Sequence, residues 1–384
     1  MKFQQNFKKI LSFLLLLLAT NKVLAQDSAQ LYREFTFEEN LTLSDVGEEY
    51  FFGLPVAVIS DSEGNMIIAD DQQKKIMKFN NEGKFLYSFG RSGRGPGEFL
   101  KTSSIVLLPN EELLVFDFFM RRFTKFSLKG EVLDTYLLPK SVYMYPNVMH
   151  YLEGEGILAF YRSLEGIRAE VSNDKDYLIH IISEDLEKIK HEFVPISETV
   201  DVTSNFEKNF VGGNFRGSFS VSDTTVTLAP FFYRGKILQY HKKNNWRLTK
   251  TFKGYVETNQ TYVPYDDYRE VIGKGYASNS QAYGKTVGIL KNESLGLFQK
   301  RNGDFLYIGL LEIGNEQKPY VNVFDSDGKL KAHGPVTNLS LGLQENEFFH
   351  VIRFYWMDEK DQLYVIDGAE DGFFVYRGTI EMKE

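Results

Sequence analysis

Short runs of alternating apolar and polar residues recur along the chain, separated by turns rich in Asp, Asn and Gly. The clearest copy predicts four strands and two turns, with strands at 55–59, 66–69, 76–79 and 85–89 and turns at 60–65 and 80–83. Such alternation is typical of half-buried strands, and Gly-containing turns join antiparallel neighbours. Four antiparallel strands within about 35 residues match one blade of a β-propeller, whose repeat is roughly 40 to 50 residues long.

Five further copies of this strand–turn unit follow, the last at 351–376. That last copy lacks a fourth strand, whereas residues 31–37 form a spare strand near the other end of the chain. We expect the spare strand to complete the last blade, because closure removes an open sheet edge. The sequence therefore predicts an all-β fold, a six-bladed β-propeller with four-stranded blades closed by an N-terminal strand. A two-sheet sandwich is the rival architecture, but it does not account for a unit that recurs to the end of the chain.

The spacing of the copies is uneven, which predicts insertions near 162–175 and 254–290 within a single propeller domain at 26–384. The second insertion is rich in Tyr, and Tyr255 and Tyr262 are among the rings that could contact a sugar or a protein. Alternatively, these tyrosines pack over the edge of a blade. A short helix at 266–272 is also predicted.

The first 25 residues have the layout of a secretory signal peptide. A basic start at Lys2, Lys8 and Lys9 precedes an apolar run at 10–18, and a small residue, Ala25, follows it. The run is shorter than the ~20 residues that span a membrane, so we expect cleavage near Ala25 rather than a membrane anchor. The chain is thus predicted to be exported to a periplasm or to the cell exterior.

Cysteine is absent from the 384 residues, which excludes disulfides and a lipid-modified N-terminal cysteine, so we do not expect a lipoprotein. The net charge is −8, and loss of the signal peptide with its four lysines and no acids lowers it to −12. An acidic chain is a poor partner for nucleic acid. We expect a monomer without a membrane span.

The segment Gly90–Phe99 contains four glycines and a proline between the first two blades. A phosphate loop would continue with Gly-Lys-Ser/Thr and a helix, and neither follows. A crossing between blades is the better interpretation, in which glycine supplies positive φ angles and Phe99 anchors the segment.

A wider motif around this segment resembles an NHL-type repeat, and more narrowly the exported six-bladed propellers of Bacteroidetes. The motif residues are Gly64-Asn65, Ile68-Ala69-Asp70, Ile76, Phe79, Gly83, Phe89-Gly90, Gly93, Gly95-Pro96-Gly97 and Phe99. The resemblance covers about the first blade and a half. It implies a six-bladed propeller and carries no catalytic residues.

Loops between second and third strands and linkers between blades lie on one face of a propeller, and they bring charged residues together here. The candidate ligand-binding residues on this face are Asp70, Arg91, Arg94, Asp117, Arg121, Arg122, Arg162, Arg234 and Asp367. Clustered cations on an acidic protein favour an anionic ligand. Alternatively, the face is simply solvated, and Asp70 and Asp117 stabilise loops through bonds to the backbone.

No motif for catalysis or metal binding emerges. Asp325-Ser-Asp-Gly328 resembles the start of a calcium loop, but it lacks the later acidic ligands, so an ordinary turn is favoured. The six histidines lack zinc-ligand spacing, and no Gly-x-Ser-x-Gly is present. No cofactor is predicted, with calcium as the open alternative.

Two functions remain open from the sequence. The first is a non-enzymatic module of the cell envelope that binds a protein, peptide or glycan at the channel mouth. The second is a lactonase-, lyase- or hydrolase-like enzyme, in which a divalent ion would sit in the central channel. Convergence of several carboxylate, Asn or His side chains in the channel would favour the enzyme, whereas a channel filled with aromatic or aliphatic side chains would favour the binding module.

Overall fold

A computed structural model of the chain describes residues 29–44, 50–138, 144–163, 177–200, 218–258, 261–264, 276–278, 286–314, 316–339, 351–369 and 372–383. The predicted signal peptide and its cleavage site lie outside these residues. Within them, no helix has the length and apolar character needed to cross a membrane.

Six four-stranded antiparallel sheets account for most of the described residues. Sheets 1 to 3 consist of Pro55–Ser60, Met66–Asp70, Lys75–Phe79 and Phe85–Phe89; Thr102–Leu107, Glu112–Asp117, Arg122–Ser127 and Val132–Leu137; and Met144–Leu152, Gly156–Ser163, Tyr177–Ile182 and Ile189–Pro195. Sheets 4 to 6 consist of Ser218–Val221, Thr225–Ala229, Lys236–His241 and Arg247–Lys253; Asn292–Gln299, Phe305–Ile313, Glu316–Phe324 and Leu330–Pro335; and Val351–Met357, Leu363–Ala369, Gly372–Met382 and Phe35–Leu43.

Smaller elements connect these sheets. Arg91–Ser92 and Glu98–Phe99 form a short parallel pair between sheets 1 and 2. Thr261–Pro264, Thr286–Leu290 and Tyr276–Ser278 form a three-stranded sheet within the predicted insertion at 254–290. The 3-10 helices are Ile196–Glu198 and Lys242–Asn244. The predicted helix at 266–272 and most of the predicted insertion at 162–175 lie outside the described residues.

The sheets form a closed ring. The first strand of each sheet is the innermost, and first strands contact one another between sheets 1 and 2, 2 and 3, 4 and 5, 5 and 6, and 6 and 1. Sheets 3 and 4 share a hydrophobic core that includes Phe160 and Phe219. Phe35–Leu43 pairs antiparallel with Gly372–Met382, from Phe35 opposite Met382 to Leu43 opposite Val375. The predicted six-bladed propeller and its closure by an N-terminal strand are therefore confirmed, with a closing strand that begins four residues later than the predicted start at Leu31.

Each of the six four-stranded sheets is one blade, and blades 1 to 6 keep the numbers of the sheets. Burial explains why these segments form blades. The second strand of blade 1, Met66–Asp70, is buried at every position because both of its faces pack against neighbouring blades. Between blades 1 and 2, Ala57, Ile67 and Phe99 pack with Ile105 and Val115. Each large apolar side chain buried in this way stabilises the fold by about 1.5–3 kcal/mol. The interfaces between blades therefore form the core.

The turns repeat one hydrogen-bond pattern. The carboxylate of Asp61 accepts from the backbone amides of Glu63 and Asn65, and that of Asp325 accepts from Asp327 and Lys329. This pattern compensates backbone donors that the strands leave unpaired at a hairpin. Asp325 thus has the role of a turn residue, as the sequence favours.

The two faces of the ring differ in what they carry. We call the face with the loops between second and third strands and the linkers between blades the linker face; it includes residues 70–75, 90–101 and 117–122. The opposite face, the hairpin face, carries the turns between first and second strands, such as 61–65 and 358–362.

Candidate binding face

Asp70 closes the loop between the second and third strands of blade 1. Its carboxylate accepts from the backbone amide of Gln73 at 2.8 Å, and from those of Gly53 and Leu54 at 2.7 and 3.1 Å. The side chain is fully buried, and this burial raises the pKa of Asp70 against the opposing effect of the amide donors. Asp70 therefore fixes both the loop and the segment that enters the blade.

Asp117 has the same role in blade 2. It accepts from the amide of Met120 at 2.8 Å, and from Leu100 and Lys101 at 2.7 and 3.0 Å. In both loops the last residue adopts a positive φ, which is 58° at Lys74 and 51° at Arg121. The two aspartates are thus equivalent parts of one repeated loop, as the alternative interpretation of the sequence foresees.

The linker at 90–99 is stabilised mainly by Arg122. Its guanidinium donates to the carbonyl oxygens of Arg94, Gly95 and Glu98 at 3.0, 2.9 and 2.9 Å. The Glu98 carboxylate accepts from the Gly95 amide at 2.6 Å and from the Arg91 guanidinium at 2.9 Å, and these two donors lower the pKa of Glu98. Three carbonyls and one carboxylate therefore fix the shape of an exposed loop.

Two glycines make this linker possible. Gly90 has φ +92°, and a Cβ added there would lie 2.6 Å from the Phe99 ring. Gly93 has φ +153°, and a Cβ there would lie 2.2 Å from the Glu98 carboxylate. Phe99 is fully buried and packs on Phe126 at a centroid separation of 5.8 Å. The predicted crossing between blades, anchored by Phe99, is what the structure contains.

The remaining arginines of blades 1 and 2 differ in availability. Arg121 lies over the Tyr145 ring, 5.3 Å from its centroid, and donates to the Tyr145 hydroxyl at 3.2 Å. Arg91 and Arg94 are exposed at the tip of the linker. Arg91 pairs with Glu98, whereas the Arg94 side chain has no hydrogen bond or ion pair among the described residues. Arg94 and Arg91 are therefore the cations that a ligand could reach.

The candidate residues of blades 3, 4 and 6 do not form one group of exposed side chains in the described part of the chain. Arg234 is half-buried in the loop before the third strand of blade 4, and Asp367 is half-buried near the end of a strand in blade 6. Arg162 lies in the second strand of blade 3, and its side chain is outside what the structure describes. Tyr161 and Tyr233, beside two of these arginines, are fully buried.

The inner end of the channel near the hairpin face is filled with rings. His150 of blade 3 stacks on Trp356 of blade 6 at a centroid separation of 5.5 Å, and its edge contacts Phe219 of blade 4 at 5.1 Å. The Trp356 indole donates to the Ser60 hydroxyl at 3.2 Å. Burial lowers the pKa of His150 to about 4, so the ring is neutral at pH 7. Aromatic filling is the arrangement that favours a binding module.

No group of three or more His, Asp or Glu side chains able to hold a metal ion occurs among the described residues. In the predicted insertion, Tyr255 stacks on His333 at 4.1 Å, which matches the expectation that tyrosines pack over a blade edge. The side chain of Tyr262 lies outside what the structure describes.

Two residues of this face escaped the sequence interpretation. Phe119, at the tip of the loop in blade 2, is 66% exposed, and Leu137, at the linker-face end of the fourth strand, is 71% exposed. A run of two phenylalanines inside a turn, Phe118-Phe119, is the signal that could have indicated the first. Apolar turn tips are unusual, because loops expose their side chains to water.

Comparison with known proteins agrees with this geometry. Residues 54–224 match the family model described as 6-bladed beta-propeller. This chain is a six-bladed β-propeller. The propeller is similar to the solved structure of a candidate exported protein from Bacteroides fragilis, with 11% identity, a TM-score of 0.50, and coverage of 91% of this chain and 95% of that one.

A second structure, of a duf4221 family member from Bacteroides vulgatus, aligns with a TM-score of 0.57 at 9% identity, covering 92% of this propeller and 100% of that chain. At such identities the similarity concerns the fold. No protein of curated function matches the sequence. The expected resemblance to exported six-bladed propellers is confirmed.

Proposed function

We propose that this propeller is a non-catalytic binding module, and that its ligand docks on the linker face around the mouth of the channel. The observation that carries the proposal is the linker at 90–99. Arg122 and Glu98 fix the shape of this loop from within, while Arg91 and Arg94 project from its tip. A loop whose shape is fixed loses little conformational entropy when a ligand binds.

The ligand is anionic. Asp70 and Asp117 are buried and accept backbone hydrogen bonds, so neither carboxylate is accessible to a ligand on this face. Arg91 and Arg94 are exposed, and an arginine fork pairs well with carboxylate, sulfate or phosphate groups. The net charge of −8 makes a local cationic site selective, because the rest of the surface repels anions.

The place of action is the cell envelope or the exterior. The layout of residues 1–25 and the similarity to a candidate exported propeller support this assignment. The stacked His150 and Trp356 rings also support binding over channel chemistry, because they occupy the axis near the hairpin face.

A thermal-shift screen with anionic glycans, acidic peptides, Ca²⁺ and Zn²⁺ tests the proposal, since a ligand that prefers the folded state raises the melting temperature. The expected result is an anionic ligand whose shift disappears in the Arg91→Glu/Arg94→Glu variant. The matched control is Lys360→Glu, which reverses an exposed cation on the hairpin face. A shift that survives the double variant, or chemical turnover of the bound compound, would overturn the proposal.

A further inference from the structure

The linker-face end of blade 2 gathers three exposed side chains around one residue, Arg122. Its guanidinium binds the carbonyl of Arg94, and its backbone pairs with Leu137 on one side and Asp117 on the other. Asp117 in turn closes the four-residue loop, 118–121, that carries Phe119. Arg94, Phe119 and Leu137 therefore belong to one corner of the fold.

This corner exposes large apolar side chains to solvent. Phe119 and Leu137 are the two most exposed of the large apolar side chains on the described surface. Single exposed apolar residues are common on proteins. Two of them in the same corner as the exposed Arg94 match the composition of protein interfaces, which are enriched in aromatic residues and Arg.

The corner is also well supported from beneath. Phe118 packs beside Phe119 at 5.4 Å and on Tyr145 of blade 3 at 4.5 Å, and Tyr145 in turn lies under the Arg121 guanidinium. The amide of Leu138, next to Leu137, donates to the carbonyl of Arg121 at 2.8 Å. The exposed side chains thus extend from fixed backbone.

We propose that this corner captures an acidic peptide segment of another protein, one that carries a large apolar side chain next to its carboxylates. The inference rests on the proposed function and specifies its partner. Phe119 and Leu137 receive the apolar side chain, and Arg94 and Arg91 pair with the carboxylates. A sugar chain fits less well, because Leu137 and Phe119 offer no hydrogen-bond partner for hydroxyl groups.

The experiment uses the full propeller and a phage library of random twelve-residue peptides. Selection on the wild-type protein is expected to enrich peptides with at least one Asp or Glu near a Leu, Met, Phe or Trp. Synthetic versions of the enriched peptides are then measured by fluorescence anisotropy. Phe119→Ser and Leu137→Ser are each expected to weaken binding about tenfold, since each removes the burial of one large apolar side chain.

Charge is tested separately from apolar contact. Arg94→Glu is expected to weaken the same peptides about tenfold, and to remove much of the salt dependence that wild type shows. Two matched controls, Lys360→Glu on the hairpin face and Leu86→Ser on the outer strand of blade 1, are expected to leave binding unchanged. The inference is overturned if no peptide is enriched, or if Phe119→Ser and Leu137→Ser bind as wild type does.

Dextran sulfate, an anion without large apolar groups, separates this inference from the proposed function. If it binds in a manner that depends on Arg91 and Arg94 but not on Phe119, and no peptide is enriched, the linker face is an anion site and only the peptide inference fails. If neither dextran sulfate nor any peptide depends on Arg91 and Arg94, both fail.

Discussion

His150 and Trp356 stack on each other, 5.5 Å apart and 22° from parallel, although they belong to opposite blades of the ring. Their contact joins blades 3 and 6 directly across the axis, whereas the strand pairs of the six four-stranded sheets join neighbours within a blade. His150 also contacts the ring of Phe219 in blade 4, so three blades meet in one aromatic cluster.

Trp356→Ala should destabilise the propeller by about 1.5–3 kcal/mol, because the half-buried indole loses its packing on His150 and its bond to Ser60. Urea unfolding at pH 7 measures the loss. Trp356→Phe, which keeps a ring opposite His150, should cost clearly less. Equal losses for the two variants would show that the stack contributes little.

His150 should make stability depend on pH. Its pKa is about 4 in the folded protein against 6.5 for a free side chain, so between about pH 4 and pH 6.5 the unfolded chain binds a proton that the folded chain does not. The neutral His150 ring therefore leaves the free energy of unfolding almost unchanged at pH 7, and lowers it by about 2 kcal/mol at pH 5.

The measurement is the free energy of unfolding of wild type and His150→Phe at pH 7 and pH 5. The variant keeps a ring in the stack. Between pH 7 and pH 5 its free energy of unfolding should fall by about 2 kcal/mol less than that of wild type. His180, whose pKa burial also lowers to about 4, remains in both proteins and cancels in the comparison. Identical pH profiles would contradict the prediction.

Asp117→Ala should lower the free energy of unfolding by about 2 kcal/mol, because three backbone amides at the linker face lose their acceptor. Asp70→Ala should have a similar effect, since the two loops are equivalent. Asp223→Ala, an exposed aspartate in a hairpin turn of blade 4, is the control and should change stability by less than about 0.5 kcal/mol. Loss of the same size in all three variants would argue against a special role for the loops.

Gly254→Ala should be strongly destabilising, because its Cβ would lie 2.1 Å from the Tyr233 hydroxyl oxygen. That hydroxyl is buried without a hydrogen-bond partner, so Tyr233→Phe alone should be neutral or stabilising. The double variant should recover much of the stability that Gly254→Ala loses. Additive effects of the two substitutions, measured by urea unfolding, would contradict the steric explanation.

Strand order and blade number could be predicted because they depend on local pattern. In blade 1 the predicted strand at 85–89 matches Phe85–Phe89, and the first two strands end one residue later than predicted, at Ser60 and Asp70. The closing strand, Phe35–Leu43, was placed too early because Glu38, Glu39 and Asn40 interrupt its alternation. Those residues can be polar since the strand lies at the outer edge of blade 6 and exposes them.

The site was less predictable, because its contacts join segments far apart in the sequence. The roles of Asp70 and Asp117 follow from ordinary turn chemistry and were open as one interpretation. The binding of Arg122 to three carbonyls of the linker at 90–99 has no local signal, and neither does the stack between His150 and Trp356. Such contacts depend on how blades meet, which alternation within a blade does not specify.

The pairing of Phe35–Leu43 with Gly372–Met382 sets an order of events for folding. A ribosome delivers Phe35–Leu43 more than 300 residues before its partner strand, and the amide of Lys383 bonds to the carbonyl of Glu34 beside this pair. Phe35–Leu43 must therefore wait, unpaired, until Gly372–Met382 has been synthesised. Such distant pairing slows folding. During that time the unpaired strand Phe35–Leu43 is accessible to a chaperone.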